Sequence, residues 1–182
     1  AQVPLFGRAL SLIGNPYTLI IAGLVSLAAV YSKASRMASD FNASMLKANV
    51  TAQESNEQFK QTSDFILDTA AKSRTANALQ GAPTAYNVLL SSGMEKQNAL
   101  DTINPTLQAA KAGFTDIETV ANAAANSMNS AGIKDANRIY DILFATVNKG
   151  KAEFKDMANY LPKIIPAAKN VGLNMEQVAG AF

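Results

Sequence analysis

The N-terminal part of the chain contains a long stretch without any charged residue, from position 9 to position 32. Residues 17–31 within it are almost continuously apolar, and Pro16 would suit the first turn of a helix capped by Asn15. The pattern predicts a hydrophobic helix. The side chains expected to contact other copies or lipid are Leu19, Ile20, Ile21, Leu24, Val25, Leu27 and Val30.

Three interpretations of this hydrophobic helix remain open. The first is a helix buried in an oligomer or a core. The second is a membrane segment, favoured by the flanking aromatics Tyr17 and Tyr31 and by Lys33 just beyond them, although a span needs about 20 apolar residues. A secretory signal has the least support, because only Arg8 precedes the apolar run and no clean cleavage motif follows.

Residues 33–80 have mixed charges and no proline. Their apolar positions recur at loose intervals of four or seven, which predicts a long amphipathic helix broken near residues 49–51. These positions are Met37, Phe41, Met45, Phe59, Ile66 and Ala70. A coiled-coil seam is the alternative, but the heptads are not sustained.

From residue 81 onward, a glycine followed by a hydrophobic residue recurs at irregular intervals. A glycine can close a helix in the left-handed conformation, and the following hydrophobic side chain packs back on the last turn. The pairs are Gly93-Met94, Gly113-Phe114, Gly132-Ile133 and Gly172-Leu173. Thr115 with Glu118, and Asn174 with Gln177, form two candidate capping boxes that would start the next helix.

The spacing of apolar residues in this half predicts short helices, with Pro105, Pro162 and Pro166 acting as helix breakers or first-turn residues. The predicted helices are 84–92, 96–103, 105–112, 116–131, 135–148, 154–161, 165–170 and 174 onward. No run alternates as a strand would. The sequence therefore predicts an all-α protein in three parts: a hydrophobic segment (1–32), an amphipathic helical segment (33–80) and an array of helical hairpins joined by glycine turns (81–182).

Composition narrows the range of functions. The chain of 182 residues has no Cys and no His, which excludes thiol nucleophiles, Ser-His-Asp chemistry and the usual zinc ligand sets within it. Charged residues make up 16%, against about 25% in an ordinary soluble domain. The formal net charge of +2 is too small for nucleic acid to be expected as a specific partner.

Few residue groups resemble a catalytic or ligand-binding arrangement. Asp64 and Asp68 share a helix face, and Asp116 and Glu118 suit a helix N-terminus. A second set, spaced as an ion-pair ladder, consists of Asp135, Arg138 and Asp141. The most basic stretch contains Lys149, Lys151, Lys155, Lys163 and Lys169. Apart from Asp116 and Glu118, which we expect to stabilise a helix N-terminus, solvated surface is the favoured interpretation of these groups. We therefore predict no catalytic residue, no cofactor and no metal.

Residues 36–182 resemble a known family in the order of their small, apolar and glycine positions. The segments that carry the resemblance are Phe41-Asn42-Ala43-Ser44-Met45, Glu57-Gln58-Phe59, Ala85-Tyr86, Ser92-Gly93-Met94, Ala109 to Gly113, Ala131-Gly132-Ile133, Lys155 to Leu161, Ala167-Ala168 and Val171 to Ala179. This pattern is similar to the core region of phage tail tape measure proteins. Separately, the apolar helical pattern of Val171, Leu173, Val178 and Phe182 has no stop signal behind it, so we expect a segment of a longer polypeptide that continues beyond residue 182.

The resemblance implies a structural and assembly protein of a phage tail or tail-like particle, not an enzyme. Such a protein sets the length of the tail tube, occupies its lumen or tip in several copies, and leaves during genome ejection. The implied partners are other copies, the tail tube and the tail tip or baseplate hub, with the host membrane as a transient contact. The alternative is a membrane-anchored or pore-forming helical protein. A soluble helical enzyme has the least support, because no cluster of carboxylates indicates a pocket.

Overall fold

A computed structural model describes residues 16–150 and 152–182; the side chains of residues 16–29 and 31 lie outside this description. The described residues form eight helices and no strand, which confirms the predicted all-α class. The helices are α1 (Pro16–Ala52), α2 (Asn56–Ser73), α3 (Ala78–Ser91), α4 (Lys96–Ala112), α5 (Ile117–Ala131), α6 (Ala136–Lys149), α7 (Phe154–Asn170) and α8 (Met175–Ala179).

The chain divides into two compact units, Ala1–Asp40 and Phe41–Phe182. The second unit contains a hydrophobic core to which α2–α8 and the C-terminal part of α1 contribute. Among its largest fully buried side chains are Tyr86, Leu89, Ile103, Leu107, Ile139, Leu143, Leu161 and Ile165.

Helix α5 is the central element of this core and packs most extensively against α3 and α7. Its buried residues cover a little over half of the helix circumference, and Glu118, Asn122, Asn126 and Asn129 form its exposed face. The buried residues are Ile117, Val120, Ala121, Ala123, Ala124, Ala125 and Ser127. Because most of them are alanines, the neighbouring helix backbones can approach α5 closely. The alanine-rich composition is therefore used where three helices meet.

Three prolines that we expected to break or begin helices lie inside them. Pro105 is within α4, and Pro162 and Pro166 are within α7, so each pair of helices predicted there is one helix of 17 residues. An interior proline costs about 3 kcal/mol because it removes one backbone hydrogen bond and crowds the preceding turn. On α7, the buried positions Met157, Leu161, Ile165 and Ala168 continue past both prolines. We infer that this tertiary packing outweighs the local penalty.

Side-chain caps begin four of the described helices: α2, α5, α6 and α8. Ser55 and Gln58 form a capping box at the start of α2, which the sequence analysis missed. Asn174 and Gln177 form the box expected at α8. The box expected at Thr115 is wrong, because Asp116 caps α5 by accepting from the Thr119 backbone N–H at 2.7 Å. The aspartate carboxylate thus takes the role that we assigned to the threonine hydroxyl.

Candidate functional site

Three of the four predicted capping glycines lie at helix ends with a left-handed backbone: Gly93 (φ 88°), Gly132 (φ 75°) and Gly172 (φ 84°). At the end of α7, the Leu173 N–H donates to the Ala168 carbonyl and the Gly172 N–H donates to the Lys169 carbonyl, both at 3.0 Å. This is the Schellman pattern. A Cβ added at any of the three would meet nothing within 4 Å, so the backbone conformation alone requires glycine.

The fourth glycine, Gly113, also ends a helix but with an ordinary φ of −87°. The left-handed residue of this turn is Phe114 (φ 48°), and the Thr115 N–H donates to the Ala110 carbonyl at 3.1 Å. Gly113 is needed for space, because an added Cβ would collide with the ring of Phe154. The glycine requirement therefore has a steric cause at this turn and a conformational cause at the other three.

The hydrophobic residues that follow the four glycines do not behave alike. Met94 and Ile133 are partly buried against the core, as the turn pattern predicts. The prediction is wrong for Phe114, whose side chain is 98% exposed. Because Phe114 itself adopts the left-handed conformation, its side chain points away from the helix that it was expected to cover. Leu173 remains 43% exposed at the end of α7.

Two of the glycine turns meet at one groove of about 600 Å³, which we call the glycine-turn groove. Its apolar lining includes Ile133, Ile165 and Leu173. Arg138 lies at its rim and donates from Nε to Glu176 Oε1 at 3.0 Å. Hydrogen bonds from the backbone N–H of Glu176 and from Arg138 hold the pKa of this carboxyl below its usual value. The ion-pair ladder predicted within α6 is therefore wrong, because Arg138 pairs with α8.

A buried carboxylate that the sequence analysis did not select lies between α1 and α2. Oε1 of Glu54 accepts from Lys96 Nζ at 2.9 Å, from Thr62 Oγ1 at 3.0 Å and from the Tyr86 hydroxyl at 3.1 Å. The Glu54 side chain is only 4% exposed. Burial raises the pKa of Tyr86, and the charge of Glu54 raises it further. We call these four residues the Glu54 clasp; they join the α1–α2 turn to α2, α3 and α4.

The other candidate polar groups are on the surface. Asp64 and Asp68 pair with Lys60 and Lys72 through exposed i, i+4 contacts, as expected for solvated charges. Within residues 16–150 and 152–182, no group of three or more acidic residues could hold a metal ion.

The predicted basic stretch is distributed over several contacts. Lys169 donates to the Ser130 carbonyl at 3.1 Å, and Lys163 lies 5.4 Å from the centroid of the Tyr160 ring. Lys155 lies close enough to Asp116 to help lower the pKa of that carboxyl. Lys151 lies outside the described residues. The described lysines thus contact several different surface groups.

A side of α7 next to its buried face carries exposed apolar side chains. Tyr160 (57% exposed), Ile164, Ala167 and Val171 (75% exposed) follow one another at intervals of four, three and four residues. We call this row the α7 stripe. The interval is that of a helix–helix seam. Sequence reasoning missed the stripe because it treated α7 as two helices separated at Pro162.

The hydrophobic segment predicted at the N-terminus falls on the first half of α1. Val30 is exposed, while the other six side chains named for contact with copies or lipid lie outside the described side chains. Membrane contact by this segment therefore stays a prediction. Over the part of the chain that the structure describes, no helix is both long enough and apolar enough to cross a bilayer.

Two curated tape measure proteins align with nearly the whole chain. The probable tape measure protein of Clostridium phage phiCD119 is 26% identical over 170 residues, which cover 90% of this chain and 17% of that protein. The tape measure protein of Pneumococcus phage Dp-1 is 25% identical over 179 residues, which cover 97% of this chain and 15% of that protein. The chain thus spans less than one fifth of the length of either relative. No solved structure matches it.

The family model for phage-related minor tail proteins matches residues 63–182, which is more than half of the chain. Together with the two relatives, this match confirms the predicted resemblance to a tape measure region. The relatives' names describe structural components of a tail and indicate no enzyme class. The chain therefore belongs to the family of phage-related minor tail proteins.

Proposed function

We propose that this chain is the part of a tape measure protein that packs with other copies of itself in the lumen or tip of a phage tail. The observation that carries the proposal is the alignment of two tape measure proteins along at least nine tenths of the chain. The described side chains support a packing role, since their polar groups are mostly caps and surface ion pairs. Catalysis has no comparable support.

The α7 stripe is the surface that we assign to contacts between copies. Exposed large apolar side chains in a row are costly to leave in water, and such rows mark interaction sites. The buried face of α7 is already used by Met157, Leu161 and Ile165, so the stripe is a second apolar face on the same helix. A helix that is apolar on two faces needs neighbours on both.

Self-association tests this assignment. The chain should sediment as an oligomer whose proportion increases with concentration, and Ile164→Lys should shift it toward the monomer. Phe114→Lys is the matched control, because Phe114 is also an exposed large apolar side chain but lies outside the α7 stripe. A monomeric parent chain, or equal weakening by both substitutions, would contradict the proposal.

Control of tail length is a separate part of the proposal. A protein that measures the tube through its own length should give shorter tails when an internal segment is removed. Deleting residues 96–131, which comprise α4 and α5, from the parent protein should shorten the tails seen by electron microscopy. Replacing those residues by a helical sequence of equal length controls for the loss of local contacts. Unchanged tails after the deletion would rule out measurement by this segment.

We also propose the tail tube and the tail tip or baseplate hub as partners of the assembled protein. A photo-activated cross-linker at Tyr160 would lie on the α7 stripe, and one at Lys60 on an exposed face of α2. Cross-links in assembled particles should join Tyr160 mainly to other copies and Lys60 to tube or hub subunits. Cross-links only to unrelated proteins would count against a position inside the tail.

Release during ejection, with transient entry of residues 9–32 into the host envelope, is our proposal for the uncharged segment. The support is the sequence alone, which has no charge across these positions. Flotation with liposomes of the chain with and without residues 9–32 tests the envelope contact. Equal flotation of the two proteins would remove the membrane role and leave self-association as the use of the segment.

A further inference from the structure

The turn between α1 and α2 ends a helix without glycine or proline. Neither residue occurs anywhere between positions 24 and 80. The left-handed position of the turn is Gln53, with φ 52°. Glutamine is a good helix former, and non-glycine residues enter the left-handed region only at a cost. Gln53 therefore disfavours the turn, the Ser55–Gln58 capping box favours it, and contacts with other helices decide the balance.

The interactions that hold the turn come from caps and from the Glu54 clasp. Asn49 Oδ1 accepts from the Glu54 N–H at 2.9 Å, and Ser55 begins α2 through its capping box. The clasp binds Glu54 to Lys96 and Tyr86 in two other helices. A continuous helix would satisfy the same backbone donors by its own i to i−4 bonds. Only the clasp is specific to the bent form.

Residues in one helical register across the turn are mostly buried or half-buried. Between Phe41 and Ser73 this register recurs at alternating intervals of four and three residues, with Ser55 exposed at the turn itself. Its members are Phe41, Met45, Ala48, Ala52, Ser55, Phe59, Thr62, Ile66, Thr69 and Ser73. Ala70, beside this register, is also buried. The same alternation continues in the sequence toward the N-terminus through Ala38, Ala34, Tyr31, Leu27 and Leu24. If the helix were always broken at this turn, the residues before and after the break would have no reason to share one helical register.

Helix α1 is weakly tied to the core. Among its described side chains, only Phe41, Met45 and Ala48 are buried. These three residues lie on the seam that would face a partner helix in a straight conformation. If α1 separated from the core, Phe41, Met45 and Ala48 would therefore leave their core contacts and become part of a contact between helices.

We propose that the turn at residues 53–55 is a hinge between two forms of the chain. In the bent form the Glu54 clasp holds α1 and α2 apart as separate helices. In the straight form they make one continuous helix, in which α2 keeps its place in the core and the α1 part of the seam packs against the same part of other copies. That the seam contacts other copies rests on the proposed self-association. That the turn is a hinge rests on Gln53 and Glu54 alone.

Two substitutions at Gln53 test the hinge without touching the core, since this side chain is exposed. Gln53→Ala should favour the straight form because alanine avoids the left-handed region. Gln53→Gly should favour the bent form because glycine adopts that region freely. The chain has no native cysteine, so Asn42→Cys and Ala71→Cys, both exposed, provide unique sites for spin labels.

In a straight helix the Cα atoms of residues 42 and 71 are about 44 Å apart, and any bend brings them closer. Pulsed electron spin resonance should show a larger fraction at that distance in Gln53→Ala than in Gln53→Gly, by about tenfold. Equal distance distributions in the two variants would overturn the proposal. A shift in distance without any oligomer in sedimentation would retain the hinge and reject self-association.

Glu54→Gln provides an independent test of the hinge. It removes the charge that attracts Lys96 while keeping the shape of the side chain, so the fraction at about 44 Å should again rise. Glu57→Gln is the matched control on an exposed neighbour. A rise of equal size in both variants, or in neither, would show that the clasp does not hold the turn.

Discussion

The glycine turns and the α1–α2 turn produce the same local result by opposite means. At Gly93, Gly132 and Gly172 the helix ends because glycine readily adopts a left-handed conformation, and no neighbouring atom lies within 4 Å of the position that a Cβ would occupy. At Gln53 the helix ends although the residue disfavours that conformation, and Glu54 is held by three side chains. One kind of turn is encoded locally, and the other depends on the rest of the fold.

Breaking the clasp should have the largest effect. Glu54→Ala leaves the buried Tyr86 and Thr62 hydroxyls without their common acceptor, which costs about 3 kcal/mol in total. The Lys96 side chain is 41% exposed, so its ammonium stays solvated and adds little to this cost. Urea unfolding followed by circular dichroism measures the change in the free energy of unfolding. Lys60→Ala, which removes an exposed pair with Asp64, should cost at most about 0.5 kcal/mol. Equal losses would mean that burial does not distinguish the two contacts.

Gly113→Ala should rank second, with a loss of about 2 kcal/mol from overpacking. The added Cβ would collide with Phe154, whose ring stacks on Phe144 with centroids 4.2 Å apart. The same unfolding measurement on Phe154→Leu, with and without Gly113→Ala, tests the cause. The glycine substitution should cost less in the leucine background, and an unchanged cost would contradict a steric origin.

Gly93→Ala should cost about 1 kcal/mol, since the alanine must adopt a left-handed backbone in open space. Asparagine tolerates that conformation better, so Gly93→Asn should cost less than Gly93→Ala. At Gly113 the order should reverse, because the larger side chain meets Phe154 more severely. Thermal unfolding of the four variants tests whether the order of the Ala and Asn substitutions reverses between Gly93 and Gly113. The same order at both positions would show that the two glycines serve the same purpose.

The smallest expected effect concerns the cap of α5. Partial burial raises the pKa of Asp116, but hydrogen bonds from the Thr119 backbone and hydroxyl together outweigh it and hold the pKa below its usual value. A lowered pKa means that the carboxylate stabilises the fold above its unfolded pKa of about 3.9 and loses that contribution as the pH falls through the folded value.

Asp116→Asn should therefore reduce the stability difference between pH 6 and pH 3, by about 0.5 kcal/mol at most because the site is exposed. Urea unfolding of both proteins at the two pH values measures this change. Asp101→Asn, on the exposed side of α4, is the matched control. An equal reduction in the control would show that the cap has no special role in the pH dependence.

The sequence was informative where structure depends on neighbours along the chain. The helical class, the ends at the three left-handed glycines and the Asn174 capping box all follow from short-range chemistry. The interior prolines could not be placed this way, because their cost is offset by packing of α7 against α5 and α6. Glu54 could not be found either, since its partners are up to 42 residues away (54 to 96) and no local motif marks them.

At Phe114 the predicted turn is present, but its left-handed position lies one residue later than expected. The glycine-hydrophobe pair was recognised, but the turn uses the aromatic residue at the left-handed position because Gly113 is already required beside Phe154. Only the three-dimensional position of Phe154, 41 residues further along the chain (113 to 154), decides between the two arrangements. The α7 stripe was missed for a related reason, since it becomes visible only when both prolines are placed inside one helix.

The two prolines of α7 also affect how this helix responds to force. Proline has no N–H, so the carbonyls of Ala158 and Pro162 cannot receive their usual bonds from Pro162 and Pro166. Two turns in succession therefore lack an axial hydrogen bond and are held in shape by sideways packing. If the chain is pulled lengthwise, α7 should lengthen first at these turns, while the proline-free α5 and α6 keep their backbone bonds.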